Sequence, residues 1–213
     1  NKCTKLLLHA KEEFSCIFSL FFVVFLIVPQ TQKGCPLEKS KLFTKENTLL
    51  IVVDVQDKLA KTMSARDKVV RNISKLTKTA HQLQIPVIVT EQYPKGLGRT
   101  IPELDNILIN SEPIEKVSFS CCMEERFTNA LTIENRSQIL LTGMEAHICV
   151  MQTALDLVNS NFTVGVVQDA VCSYNQNDMD VALLRLSKSG VLLTTTEMMI
   201  YELLRKAGTE DFK

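Results

Sequence analysis

Tryptophan is absent from this sequence of 213 residues, and glycine and proline are scarce, with seven and six residues. The chain therefore lacks the composition of collagen-like or low-complexity proteins. It also lacks a net charge, because 24 basic residues balance 24 acidic ones, so no overall basic field is available to hold a nucleic acid. Seven cysteines form an odd set without the close spacing of a disulfide-stapled secreted domain, which favours reduced thiols and the cytoplasm.

Residues 1–47 differ in composition from the remainder. Five of the ten phenylalanines fall in an apolar run at 14–28, and the segment carries a net charge of +3 against −3 for residues 48–213. The run is shorter than the roughly 20 residues of a membrane span but matches a signal-peptide core of about 7–15 residues. We predict an N-terminal extension, 1–47, and a domain, 48–213. The extension is either a secretory signal or anchor, or an upstream segment without a role in the fold; membrane association is expected only if 14–28 is retained as an anchor.

From Thr48 onward, short β-branched runs alternate with segments of helical periodicity. A hydrophobic share of 46% provides a buried core. Because the helical segments between strands are 10–20 residues long, right-handed crossovers and parallel strands are expected. We predict the α/β class, a three-layer sandwich with a six-stranded parallel, Rossmann-like sheet. The predicted strands are 48–55, 87–90, 114–116, 139–142, 162–167 and 191–194. A capping box at Thr194 and Glu197 predicts a last helix that ends near Gly208.

Three residues with potentially reactive side chains fall near the predicted carboxyl ends of strands, where ligands bind in such sheets. Asp54 closes strand one, Lys116 closes strand three, and Cys149 follows strand four in the first turns of a helix. A carboxylate beside a cation can serve as a base, and the helix macrodipole favours a thiolate. Strand-end charges are also common where a strand simply meets water, and a free cysteine is often a small buried hydrophobe.

The direction of the Cys149 side chain separates these two interpretations. Ile148, Met151 and Leu155 share one helical face, predicted to be the core face, so Cys149 falls on another stripe, which favours a functional role. His147 is two residues from Cys149 and points to another side of the helix, and His81 lies in a distant helix. Asp54 is therefore predicted to accept the thiol proton, with Lys116 keeping that carboxylate ionised.

The sequence resembles the isochorismatase-like cysteine hydrolases, most closely the isochorismatase domain-containing proteins of animals. The stretches that carry the resemblance are VVDVQDKL at 52–59, PVIVTEQYPKGLGRTIPEL at 86–104, EKVSFSC at 115–121, ILLTGMEAHICVMQTALDL at 139–157 and VVQDAVCS at 166–173. The resemblance implies the isochorismatase-like hydrolase fold and a homo-oligomer. It also implies a catalytic triad of Asp54, Lys116 and Cys149.

Further features follow from the same resemblance. A cis peptide is expected at Met144–Glu145, and the backbone N–H groups of Glu145 and Cys149 are expected to form an oxyanion hole. The implied activity is cleavage of a small amide or related C–N substrate through a covalent thioester on Cys149. Gln56, Tyr93 and Phe119 are candidates for lining the pocket, although core or loop packing explains each of them equally well.

Departures from the wider family narrow the chemistry. Where nicotinamidases carry an Asp-x-His metal motif, this sequence reads Thr90-Glu91-Gln92-Tyr93 without histidine, so we expect no metal and no cofactor. Enzymes that hydrolyse isochorismate use acid catalysis from the aspartate and need no cysteine nucleophile, so Cys149 argues against isochorismate. Two alternatives stay open: a non-catalytic binding or scaffolding member of this fold, and an isochorismatase-type vinyl-ether hydrolase. The expected partner is a small-molecule substrate, with no nucleic acid.

Overall fold

The computed structural model describes residues 42–108 and 111–212. Its centre is one six-stranded sheet in which all strands are parallel, in the order β3-β2-β1-β4-β5-β6. The strands are β1 Thr48–Val53, β2 Val87–Gln92, β3 Ile114–Lys116, β4 Gln138–Met144, β5 Thr163–Cys172 and β6 Leu192–Thr194. The predicted α/β class and six-stranded parallel sheet are confirmed.

Eight α-helices cover the sheet or connect its strands within the described residues. They are α1 Asp57–Ala60, α2 Arg66–Gln82, α3 Pro94–Leu97, α4 Pro102–Asp105, α5 Glu125–Glu134, α6 Met151–Asn159, α7 Gln176–Lys188 and α8 Thr196–Leu204. Short 3-10 turns occur at Cys121–Met123 and Glu210–Phe212, and a π-helical turn, Ala146–Val150, precedes α6. None of these helices is both long enough and apolar enough to cross a membrane, and the run at 14–28 lies outside the described residues.

Helices pack on both faces of the sheet because the side chains of the central strands alternate between two cores. Leu50 and Val52 of β1 face the core that contains α2 and α8. Leu49 and Ile51 face the core that contains α5, α6 and α7. Every residue of β1 is consequently buried, which explains why its sequence is apolar from Leu49 onward. Phe43, five residues before β1, is also buried, in the first core.

The predicted domain boundary between residues 47 and 48 stays a prediction, because residues before 42 lie outside the described part of the chain. Several element ends differ from prediction. Strand β1 ends at Val53 because Asp54 adopts φ 51°, a left-handed conformation that cannot continue a strand. Helix α8 is capped by Thr195, whose hydroxyl accepts from the Met198 N–H, and not by Thr194. It ends at Leu204, where Arg205 takes φ 61°.

Gly143 lets β1 and β4 approach each other closely at their carboxyl ends. It pairs with Val53 in the parallel ladder and has φ 114°. A Cβ atom built at Gly143 would lie 2.0 Å from the Val53 carbonyl oxygen. The absence of a side chain there therefore allows Asp54, which follows β1, to lie beside the segment that follows β4.

Candidate active site

Asp54 lies at the carboxyl edge of the sheet, directly after β1, and is fully buried. Its backbone N–H donates to the Thr90 carbonyl at 3.1 Å, which continues the β1–β2 ladder by one bond. The Thr90 hydroxyl donates to Asp54 Oδ1 at 2.7 Å. The strand ladder and this hydroxyl together fix the orientation of the carboxylate.

Lys116 reaches from the end of β3 across β2 to Asp54. Its Nζ lies 2.7 Å from Asp54 Oδ2, and neither side chain is exposed to solvent (0% for each). Within the described residues, Oδ2 receives no other hydrogen bond. Burial is the largest single effect and lowers the pKa of Lys116, but the charge of Asp54, the neighbouring Cys121 and Cys149 and the hydrogen bond to Asp54 together outweigh it, so the pKa is raised above its ordinary value. The pair is therefore a buried ammonium and carboxylate.

Cys149 occupies the π-helical turn between β4 and α6 and is 6% exposed. The expectation that it lies off the core face is wrong. Cys149 is on the buried side of this segment, whereas Ile148, Met151 and Leu155 are only half-buried. The five-residue π turn shifts the phase of the helix, which the regular 3.6-residue spacing does not anticipate.

The charges of both members of the buried pair act on the Cys149 thiol. Burial raises its pKa first, the negative charge of Asp54 raises it further, and Lys116 opposes both effects. The net shift is upward, so the thiol is protonated at neutral pH. A protonated thiol agrees with the expectation that Asp54 accepts its proton during the reaction, and that role of Asp54 stays a prediction. The arrangement places a protonated thiol near the Asp54–Lys116 ion pair.

The segment between β4 and Cys149 contains the two backbone N–H groups that are predicted to form the oxyanion hole. The Met144–Glu145 peptide bond is cis, as predicted. The Glu145 carbonyl accepts from the N–H groups of Ile148 at 3.1 Å and Val150 at 3.2 Å, and thus passes over the N–H of Cys149. The Glu145 N–H makes no hydrogen bond to any described residue. Whether the Glu145 and Cys149 N–H groups bind an oxyanion stays a prediction.

Side chains of the same turn attach it to the end of β5. The ring Nδ1 of His147 lies 2.8 Å from the Ser173 hydroxyl. The carboxylate of Glu145 accepts from the Tyr174 N–H at 2.7 Å. His147 is thus engaged with Ser173, which agrees with the prediction that it does not pair with Cys149. His81 lies exposed in the last turn of α2.

The three predicted pocket residues have different surroundings. Tyr93 lines a cavity of about 340 Å³ that is also lined by Lys116, and the residue is 54% exposed. Phe119 is 55% exposed and does not line that cavity. Gln56 is fully buried and its amide is occupied by backbone groups, which favours packing for Gln56. A larger cavity of about 570 Å³ between α2 and α8 touches none of the predicted site residues.

Among the described residues, no group of three or more His, Cys, Asp or Glu side chains is arranged to hold a metal ion. Glu91, in the segment where nicotinamidases carry their motif, is buried and structurally engaged. Its carboxylate accepts from Arg99 at 2.8 Å and from the backbone and hydroxyl of Thr100 at 2.7 and 2.8 Å. Glu91 therefore fixes the loop between β2 and α4.

Sequence reasoning missed two side chains that form hydrogen bonds with the buried pair. Thr90 donates to Asp54, and Gln92 accepts from Lys116 at 2.6 Å. A signal was available for Gln92, because it ends β2 beside Lys116 in the parallel register. A strand that begins apolar and ends polar, between one strand followed by Asp54 and another ending in Lys116, marks such a position.

Comparison with known proteins gives a consistent assignment. A family model described as the isochorismatase domain matches residues 48–198. Isochorismatase domain-containing protein 2 of Danio rerio is 40% identical over 173 residues, which cover 81% of this chain and 86% of that protein. The structure of the MAR1 ribonuclease from Caenorhabditis elegans is 35% identical with a TM-score of 0.77, and covers 81% of this chain and 88% of that one.

A bacterial structure is also similar. The YcaC gene product from Escherichia coli, described as an octameric hydrolase of unknown specificity, is 25% identical with a TM-score of 0.76. The match covers 79% of this chain and 85% of that one. The fold and the comparisons together define an α/β protein of the isochorismatase-like hydrolase class. More narrowly, this chain belongs to the isochorismatase family.

Proposed function

We propose that this protein is a cysteine hydrolase that cleaves a small amide or a related C–N bond through a thioester on Cys149. The observation that carries the proposal is the convergence of the Cys149 thiol with the fully buried Asp54–Lys116 ion pair. A nucleophile, a proton acceptor and a fixed cation are the groups that such a reaction needs. The nearly closed surroundings, with Cys149 only 6% exposed, favour a small substrate.

The first half-reaction forms the acyl-enzyme. Asp54 accepts the proton of the Cys149 thiol while the sulfur bonds to the substrate carbonyl carbon. Lys116 holds the carboxylate ionised and in place, and the N–H groups of Glu145 and Cys149 donate to the developing oxyanion. The C–N bond then breaks, Asp54 returns the proton to the departing nitrogen, and the amine leaves.

The second half-reaction restores the thiol. Water attacks the thioester carbonyl and passes a proton to Asp54. The carbon–sulfur bond breaks, and the proton returns from Asp54 to the Cys149 sulfur. One amide and one water thus give one carboxylic acid and one amine, and the enzyme ends in its starting protonation state.

The assembly and compartment belong to the same proposal. We expect a homo-oligomer, in line with the octameric hydrolase from Escherichia coli. Cys121, Cys122, Cys149 and Cys172 are free thiols, which favours a reducing compartment such as the cytoplasm. Attachment to a membrane is expected only if residues 14–28 act as an anchor.

A screen of small amides and ureides for ammonia release tests the activity, with the Cys149→Ala protein as the blank. Acylation by p-nitrophenyl acetate, followed by intact and peptide mass measurement, tests the nucleophile without knowledge of the natural substrate. We expect an acetyl group on Cys149 and ammonia release that Cys149→Ala abolishes without loss of the folded state. Ammonia release by Cys149→Ala equal to that of the wild type would refute the thioester mechanism. Absence of both acylation and hydrolysis would favour the non-catalytic binding module.

A further inference from the structure

The ammonium of Lys116 has more acceptors around it than the Asp54 carboxylate alone. Gln92 Oε1 lies 2.6 Å from Nζ, slightly closer than the carboxylate oxygen at 2.7 Å. The backbone carbonyls of Ser118 and Phe119 lie at 3.2 and 3.3 Å. An ammonium has three N–H donors, so these four acceptors surround it fully, and Gln92 provides the only amide side chain among them.

The orientation of the Gln92 amide is fixed by its other end. Its Nε2 donates to the Val117 carbonyl at 2.7 Å. Because an amide has its donor and its acceptor on opposite atoms, this bond directs Oε1 toward Lys116. Gln92 therefore forms hydrogen bonds with the residue that follows the lysine, Val117, through its nitrogen, and with the lysine Nζ through its oxygen.

The backbone of Gln92 is held in turn by Gln56. Gln56 Oε1 accepts from the Gln92 N–H at 2.7 Å, and its Nε2 donates to the carbonyls of Gln92 at 3.0 Å and Gly98 at 2.6 Å. Gln56 is fully buried and follows Asp54 by two residues. The segment that carries the carboxylate thus also fixes the residue that orients the ammonium.

We propose that Gln92 is a positioning residue, which holds the Lys116 ammonium against Asp54 and beside the Cys149 thiol, and that Gln56 fixes Gln92 in turn. The catalytic consequence rests on the proposed function, since it concerns the same Asp54–Lys116–Cys149 site. A free amine or a displaced ammonium would leave the buried carboxylate without its partner. Gln92 does not contact the thiol in this arrangement and acts through Lys116.

The charged and titratable groups around the Cys149 thiol set its pKa and therefore the pH dependence of its alkylation. They are Asp54 after β1, Lys116 of β3 and Cys121 of the 3-10 turn. Of these, Lys116 alone makes ionisation of the Cys149 thiol easier. Displacement of the ammonium therefore slows alkylation of Cys149 and moves the alkylation profile to higher pH.

The test compares Gln92→Met and Gln92→Glu with Gln138→Met as a matched control. Gln138 is a buried glutamine whose amide also joins backbone groups, Thr44 N–H at 2.8 Å and the Leu42 carbonyl at 3.0 Å. It lies at the opposite, amino end of β4. Iodoacetamide alkylation of Cys149 is followed by peptide mass spectrometry across a pH series, and stability by urea unfolding.

We expect both Gln92 variants to alkylate more slowly than the wild type, with the profile displaced to higher pH. For Gln92→Glu, which adds a negative charge, the displacement is about one pH unit, or about tenfold in rate at a fixed pH. In any amide assay, kcat falls while KM is unchanged. Gln138→Met loses stability but keeps the wild-type alkylation profile.

Wild-type alkylation profiles in both Gln92 variants would overturn the proposal and leave Gln92 a structural residue only. This outcome is distinct from failure of the proposed function. If no amide is hydrolysed by the wild type, the alkylation comparison still decides whether Gln92 positions Lys116.

Discussion

The carboxylate of Asp54 and the ammonium of Lys116 lie 2.7 Å apart, and neither side chain is exposed to solvent. Each of these two charges is stabilised by the other and not by water, so removal of one leaves the other buried and unpaired. The pair is therefore a site where stability and chemistry are coupled, and substitutions there report on both.

Removal of one partner is expected to destabilise the protein strongly. Lys116→Met leaves the buried Asp54 carboxylate uncompensated, which costs about 3–5 kcal/mol in the free energy of unfolding. The double variant Asp54→Asn with Lys116→Met removes both charges, and asparagine tolerates the left-handed backbone of position 54. Urea unfolding should show most of the lost stability recovered in the double variant. A double variant no more stable than Lys116→Met would contradict the mutual compensation of these charges.

The close approach of β1 and β4 gives a second prediction. Gly143→Ala places a Cβ 2.0 Å from the Val53 carbonyl oxygen. The clash is with backbone atoms, which cannot move aside as a flexible side chain can. We expect a loss of at least about 3 kcal/mol in the free energy of unfolding. Gly190→Ala is the matched control, since Gly190 also has positive φ but no atom within 4 Å of a built Cβ; its cost is about 1–2 kcal/mol. Equal losses in the two variants would show that the approach at Gly143 is not restrictive.

The similarity to a protein named a ribonuclease makes the response to RNA a direct test of the charge argument. Residues 48–213 carry a net charge of −3, and the Asp54–Lys116 pair is closed to a polymer backbone, so phosphodiester binding has little electrostatic support. We expect no degradation of single-stranded RNA on a gel at low salt. RNA cleavage that disappears in the Cys149→Ala protein would contradict the proposed substrate class.

The strands were predictable because a parallel sheet covered on both faces requires continuous apolar runs. Strand β1 is apolar after Thr48 and buried throughout, and β3 has the predicted bounds. Because these strands are parallel, Asp54 and Lys116, which are far apart in the sequence, lie at the same carboxyl edge of the sheet. The ends of elements were less predictable, since Asp54 leaves the strand through a left-handed conformation that its apolar neighbours do not indicate.

The state of the thiol was not predictable from the sequence. Regular helical spacing assigned Ile148, Met151 and Leu155 to the core, whereas the π turn places Cys149 there. Burial, and then the charge of Asp54, raise the pKa of the thiol above its ordinary value. A local insertion in a helix and the depth of a residue are properties of tertiary packing, which a single sequence pattern does not contain.

The proton relationship between Asp54 and Cys149 is tested most directly by Asp54→Asn, with Asp169→Asn as the control. Asp169 accepts from Thr196 and lies in another part of the sheet edge. Burial raises the pKa of Cys149 most, the Asp54 charge raises it further, and Lys116 lowers it. Removal of the carboxylate therefore lowers that pKa and increases the thiolate fraction. Iodoacetamide, which needs no proton donor for its leaving group, should then alkylate Cys149 faster at pH 7.

The decisive measurement is the pair of rates in the Asp54→Asn protein, Cys149 alkylation and amide hydrolysis, each relative to the wild type. The account predicts alkylation about tenfold faster and hydrolysis slower by at least about a hundredfold, because no group carries the proton from the thiol to the departing nitrogen. Asp169→Asn should change neither rate. Hydrolysis retained in Asp54→Asn, with alkylation unchanged, would contradict the role of Asp54 as the proton acceptor of Cys149.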